Sequence, residues 1–277
     1  MPTLIGRAAG CLLFAGLALG CGEQHAEAYV AALNNPDRQV RLDASLSLIR
    51  LGDAAVLPLM QHARSGSDSL RYIAAQILGR IGDRRAAPFL QELINDPNQY
   101  VRERAVRALG QLGDPGQRGH LEGVLLGDRA AAVRDAAAWG LGALRDTAAN
   151  AALIRAQRDS AAVVRQTALS ALQFLWTPAA EEAALAALRD PDESVRYVAV
   201  QLLGFHRVGS AVDVLGLALV DSSVGVRAES ARALGLIGDT TAVRALERLF
   251  TEHRGPDQDA ARQALEQLTG LNYAIAP

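Results

Sequence analysis

Between residues 87 and 112, apolar side chains recur at helical spacing twice: Phe89, Leu90, Leu93 and Ile94, then Val101, Ala105, Leu109 and Leu112, with an acidic turn at Asp96 between them. Spacings of three and four gather each run onto one face, so the segment predicts two helices joined by a turn. The same frame returns along the chain. A Val-Arg or Leu-Arg pair, with alanine (once serine) three residues on and leucine seven on, places Arg41, Arg71, Arg102, Arg134, Arg165, Arg196 and Arg227 at separations of 30, 31, 32, 31, 31 and 31 residues. An aspartate stands six residues before the last five of these, at Asp96, Asp128, Asp159, Asp190 and Asp221, while Asp37 and Asp68 occupy displaced positions in the first two units. Gly82, Gly113 and Gly238 follow the second apolar run and suit left-handed helix ends. One helix pair cannot cover its own apolar face, so a fixed period of this size predicts a stacked solenoid.

Composition agrees with helix: half of the 277 residues are apolar, only 4% are aromatic, and alanine and leucine dominate. The net charge of -2 is a poor match for a polyanion, which argues against nucleic-acid binding. None of the 28 basic residues is lysine, which excludes Schiff-base and Ser/Lys chemistry. His25, His62, His120, His206 and His253 are scattered over different units without metal-ligand spacing, and no glycine-rich phosphate loop occurs. The expectation is a chain with no catalytic constellation, no metal and no cofactor.

The first residues have a different character. Arg7 precedes an uncharged run from Ala8 to Gly20, too short at about 1.5 Å per residue to span a hydrocarbon core of about 30 Å, and this is the layout of a secretory signal. The segment ALGC, ending at Cys21, resembles the lipobox of bacterial lipoproteins, although leucine is more usual where Ala18 stands. That resemblance implies removal of residues 1–20, lipidation of Cys21 and a tether over residues 21–26. With Gly22 next, it also implies anchorage at the periplasmic face of the outer membrane. An ordinary signal cleaved nearby is the alternative. Cys11 lies inside the signal, so Cys21 has no disulfide partner in the remaining chain.

From about residue 27 to residue 270 the repeats resemble the HEAT family, in its short bacterial form. The aspartate-to-arginine spacing carries the likeness, together with Pro88 in a first helix. The resemblance implies an all-α, right-handed solenoid of stacked antiparallel helix pairs, seven units and a degenerate eighth, with a tail over residues 271–277. It also implies a structural ladder in which Asp96, Asp128, Asp159, Asp190 and Asp221 cap the second helices and pair with arginines of their own or adjacent units, among Arg102, Arg134, Arg165, Arg196 and Arg227. The fifth unit departs by ending in FLWTP, and the eighth is stretched by TEHRGPDQD. Tetratricopeptide and ankyrin signatures are missing.

Second helices line the concave side in HEAT-like solenoids. Counted from the ladder arginine, the face opposite the buried stripe holds positions +1, +2, +5 and +9. Those columns gather Tyr72, Arg104, Arg107, Trp139, Phe174, Tyr197, Phe205 and Arg232, and aromatic and arginine anchors dominate protein interfaces. Packing of these residues between repeats is the competing reading; Trp176, in the altered turn, is assigned to the core. The expected protein is a monomeric, lipid-anchored scaffold of the bacterial envelope that binds a protein partner without catalysis. The alternative is an enzyme or regulatory subunit of a complex like the bilin lyases.

Overall fold

A computed structural model describes residues 21–274; the signal segment lies outside them. Among the described residues are sixteen α-helices and no strand. They run as eight successive pairs: α1 Cys21–Ala32 with α2 Arg38–Leu51, α3 Val56–Arg64 with α4 Asp68–Ile81, α5 Ala87–Leu93 with α6 Gln99–Gln111, and α7 Arg118–Gly127 with α8 Ala131–Leu144. The second half repeats the scheme: α9 Asn150–Ala156 with α10 Ala162–Ala171, α11 Pro178–Ala187 with α12 Glu193–Phe205, α13 Val212–Ala218 with α14 Val224–Ile237, and α15 Val243–Glu252 with α16 Pro256–Thr269. Residues 21–26, expected to form a tether, belong to α1. Ala26 is fully buried, so the first packed turn begins ahead of residue 27.

Local chemistry sets the boundaries. Asn98 and Asp192 accept main-chain N–H groups at the starts of α6 and α12, and Gly82 and Gly238 end α4 and α14 in the left-handed region. A short 3-10 turn opens most first helices. Asp83, Asp114, Asp146 and Asp239 cap these turns.

Packing follows the repeat frame. The leucine seven residues after each arginine, from Leu48 through Leu141 to Leu234, is fully enclosed. Each such burial stabilises the array by roughly 2 kcal/mol. Where the frame has serine, Ser230 is buried and its hydroxyl donates to the Val226 carbonyl at 2.8 Å. From α4 to α16 successive second helices pack more closely than successive first helices do, so the second helices form the tighter, inner layer of the stack. Small residues permit the approach: a Cβ on Gly142 would stand 2.8 Å from the Ala171 Cβ.

The arginine ladder runs between units. Arg71 binds Asp96, Arg102 binds Asp128, Arg134 binds Asp159, Arg165 binds Asp190 and Arg196 binds Asp221, each through Nε and Nη2 at 2.6–3.2 Å. Arg227 continues the series to Asp257 in the stretched eighth unit, with Nε at 2.7 Å. Meanwhile Nη1 of Arg102 donates to the carbonyl of its own unit's Asp96 at 2.9 Å, and the later arginines do the same. One guanidinium thus ties its own turn to the next.

The capping role expected of the aspartates needs correction. Asp96 accepts the N–H of Asn98, and Asp128 that of Ala130, two residues on. Those donors are the N-cap residues themselves, so the aspartate braces the turn ahead of the helix rather than the helix's own orphan N–H groups.

Candidate functional site

The predicted positions stand on the inner face of the second helices. Trp139 on α8 is 39% exposed, Phe174 just after α10 is 59% exposed and Phe205 at the end of α12 is 61% exposed. Rings this large, open to water in three successive units of an aromatic-poor chain, are the informative departure from burial. Trp139 and Phe174 form the walls of a cleft of about 380 Å³, floored by Gly142, Ala143 and Ala171 and bordered by Arg145, Ser170 and Gln173. The fifth unit's altered ending makes the far wall: α10 runs into a 3-10 turn over Leu172–Phe174, which turns the Phe174 ring outward.

Arg145 was absent from the sequence-level candidates. Its guanidinium lies over the Phe174 ring, 5.0 Å from the centroid, and its backbone is left-handed at φ 54°. Four other units place glycine at this position, Gly52, Gly82, Gly113 and Gly238; here an arginine accepts the strain and lines the cleft. The missing glycine in ALRD, compared with LIGD, was the available signal.

The arginines predicted for this face are engaged within the protein. Arg104 donates from Nη2 to the Tyr72 hydroxyl at 2.6 Å and stacks 4.8 Å from that ring's centroid. Arg107 reaches Glu103 at 3.3 Å and Asp135 at 3.2 Å, and its guanidinium lies 5.8 Å from the Trp139 ring centroid. Arg232 binds Glu229 at 2.9 Å, and Glu229 also accepts from the Tyr197 hydroxyl at 3.3 Å. Burial first, and the Glu229 charge after it, push the Tyr197 phenol above its ordinary pKa. These pairs brace adjacent second helices, and Trp139, Phe174 and Phe205 are the aromatic rings of the face that stay open.

Trp176 is partly buried and stacked on His206, with centroids 3.9 Å apart and planes 9° from parallel. Phe205 meets the same imidazole edge-on at 5.0 Å. Burial holds His206 below the ordinary imidazole pKa, so it is a neutral stacking partner near neutral pH. Among the described residues no three His, Cys, Asp or Glu side chains converge in a way that would hold a metal ion, and no helix is long and apolar enough to cross a membrane.

This geometry of stacked helix pairs agrees with comparison to known proteins. HEAT repeats match at residues 56–137, 93–173 and 181–266, and the chain belongs to the HEAT-repeat family. It is similar in fold to the Escherichia coli protein YibA, with a TM-score of 0.66 at 20% identity over 92% of this chain and 97% of that one. Over 98 residues it is 35% identical to a Bos taurus protein named deoxyhypusine hydroxylase, covering 34% of this chain and 32% of the relative. The chain thus spans about a third of the length of that relative. The complex of CpcE and CpcF of phycocyanin lyase from Nostoc is matched at 22% identity over 96% of this chain and 100% of that one, with a TM-score of only 0.44.

The relationship to deoxyhypusine hydroxylase overturns one expectation, that the chain is not an enzyme. That expectation rested on the lack of catalytic motifs, but part of the chain is similar to a protein named as a hydroxylase, so a missing motif does not decide the matter.

Proposed function

We propose that the protein is a protein-binding scaffold whose partner docks on the inner face, centred on the cleft between Trp139 and Phe174. The observation that carries this reading is the exposure of Trp139, Phe174 and Phe205 in three successive units, on a face where Arg104, Arg107 and Arg232 are already paired. A rigid array supports such a site well, because its ladder fixes each second helix against the next and little ordering remains to be done on binding. HEAT relatives commonly use their inner helices for protein contacts, which supports the same placement.

We further propose that Cys21 carries a lipid anchor that holds the array at the bacterial cell envelope, on the periplasmic face of the outer membrane. The ALGC segment supports this. Because α1 begins at Cys21 and packs by Ala26, the acyl chains would sit close to the first unit with little slack between them. Incorporation of an alkyne-labelled fatty acid into wild type and not into Cys21→Ser is the expected result, and equal labelling of both contradicts the anchor.

The binding face is tested by placing a photo-crosslinking amino acid at position 143 or 170 in the cleft and at position 217 on the outer layer, then irradiating cells. A discrete adduct from the cleft positions and none from position 217 is the expected outcome. Adducts from position 217 alone would overturn the reading.

A further inference from the structure

The ladder has an open rung at its start. Nη1 of Arg41 donates to the carbonyls of Asn35 at 2.7 Å and Pro36 at 2.8 Å, the same backbone grip that the later arginines take on their own turns. In the next five units the remaining Nε and Nη2 edge holds the carboxylate of the next turn, and Arg227 holds Asp257 through Nε. For Arg41 the position in register is Ser65, six residues before Arg71, and among the described residues no carboxylate reaches this guanidinium. The cause is the residue that opens the turn. The turn between α3 and α4, Ser65 to Ser67, is as short as the one between α7 and α8, but it opens on Ser65 where the other opens on the ladder carboxylate of Asp128. Asp68, the nearest acid in sequence, is bound elsewhere, to Nη2 of Arg71 at 2.7 Å and to the Asn98 amide at 2.8 Å.

The open rung faces usable space. Arg41 lines a cleft of about 630 Å³ that runs across three turns, from Asn34 to Tyr100, with Asp68 and Tyr72 between. Tyr100 is 60% exposed at its far end. A volume of that length is much larger than one carboxylate needs, so the matching ligand carries its carboxylate on a longer chain. Tyr72 and Tyr100 offer aromatic surface to such a chain, and the Asp68 carboxylate, whose charge is already offset by Arg71, can accept a main-chain N–H.

We propose that Arg41 is a receptor for an aspartate or glutamate side chain in an extended segment of a partner protein, which completes from outside the rung that the other units complete from within. The guanidinium is preorganised by its two carbonyl contacts, and a bidentate pair of the ladder type is the geometry it lacks. The inference rests on the protein-binding reading only in taking the ligand to be a polypeptide, and its site is separate from the Trp139 cleft.

The test is selection of random octapeptides displayed on phage against the purified full chain, followed by affinity measurement on the strongest synthetic peptide. The expected outcome is a fixed acidic position, with binding weakened at least tenfold when that residue becomes its amide, in Arg41→Gln, and in Ser65→Asp. The last variant leaves Arg41 and its backbone contacts in place, supplies the missing carboxylate from the chain itself, and is expected to raise the melting temperature. Binding that survives in a Trp139→Ala, Phe174→Ala protein supports the site at Arg41. Loss of binding there, recovery of peptides with no acidic position, undiminished binding to Arg41→Gln, or recovery of no peptide overturns it. Failure of the inner-face crosslink leaves these outcomes unaffected, so the two readings fail separately.

Discussion

Arg102 places Nε 2.8 Å and Nη2 3.1 Å from the two carboxylate oxygens of Asp128, a residue of the following unit, while its Nη1 holds the carbonyl of Asp96 in its own. Both side chains are almost enclosed. The pair converts a chain of separate helix hairpins into one body, because its two halves belong to different repeats.

Arg165→Ala removes the partner of Asp190 and leaves a nearly buried carboxylate with only a main-chain N–H, from Asp192. The expected loss is about 3 kcal/mol, as for other broken buried pairs. Arg64→Ala breaks a pair whose two side chains are more than half exposed, and should change stability by less than about 0.5 kcal/mol. Urea unfolding of the two variants beside wild type measures the contrast.

Acid should dissolve the ladder. The hydrogen bond from Arg134 holds the Asp159 carboxyl below its ordinary pKa of 3.8, with burial opposing, and Arg196 does the same for Asp221. In the window between the folded and unfolded pKa values the unfolded chain binds more protons, so stability rises with pH there. The contribution is complete above the ordinary carboxylate range and is lost as pH falls through 3.8 and below. Melting temperature plotted from pH 6 to pH 2.5 should fall along that limb, and Arg134→Ala should make the fall shallower.

Two arginines adopt left-handed backbone, Arg145 at φ 54° and Arg207 at φ 51°. Only Arg145 lies over a ring and lines the cleft. Arg207→Gly should raise stability by roughly 1 kcal/mol, since glycine avoids the Cβ clash. Arg145→Gly loses its contact with Phe174 as it relieves the strain, so stability should stay nearly level while partner binding falls. Thermal melts and an affinity measurement on both variants separate the effects.

Alanine at Trp139, Phe174 and Phe205 removes rings that already meet water. The melting temperature should therefore drop far less than for Leu141→Ala, where a fully buried side chain leaves a cavity costing about 2 to 5 kcal/mol. A large drop in the triple variant would assign the rings to packing instead.

Much of this architecture was legible because its signals are short in range. A leucine seven residues beyond an arginine and a glycine at a helix end each report a local fact, and Leu109 and Gly82 stand where those facts require. Contacts between units were harder. Arg107 reads as a free anchor until the offset between α6 and α8 brings Asp135 within 3.2 Å, and no spacing within one helix reveals that offset. The same holds for Arg104 on Tyr72 and for the aspartates, whose carboxylates serve the preceding unit's arginine rather than a helix start. Arg145 escaped for a different reason: its position is marked by what it replaces, and a missing glycine is a weaker sign than a present aromatic.

The most direct test of the inner-face account is quantitative crosslinked capture from native membranes with three proteins: wild type, the Trp139→Ala, Phe174→Ala, Phe205→Ala variant, and a Leu217→Ser, Val220→Ser variant altered on exposed apolar residues of the outer layer. The account predicts a partner recovered equally by wild type and the outer-layer variant and lost from the inner-face variant at unchanged helicity. Equal recovery by all three, or loss confined to the outer-layer variant, would contradict it.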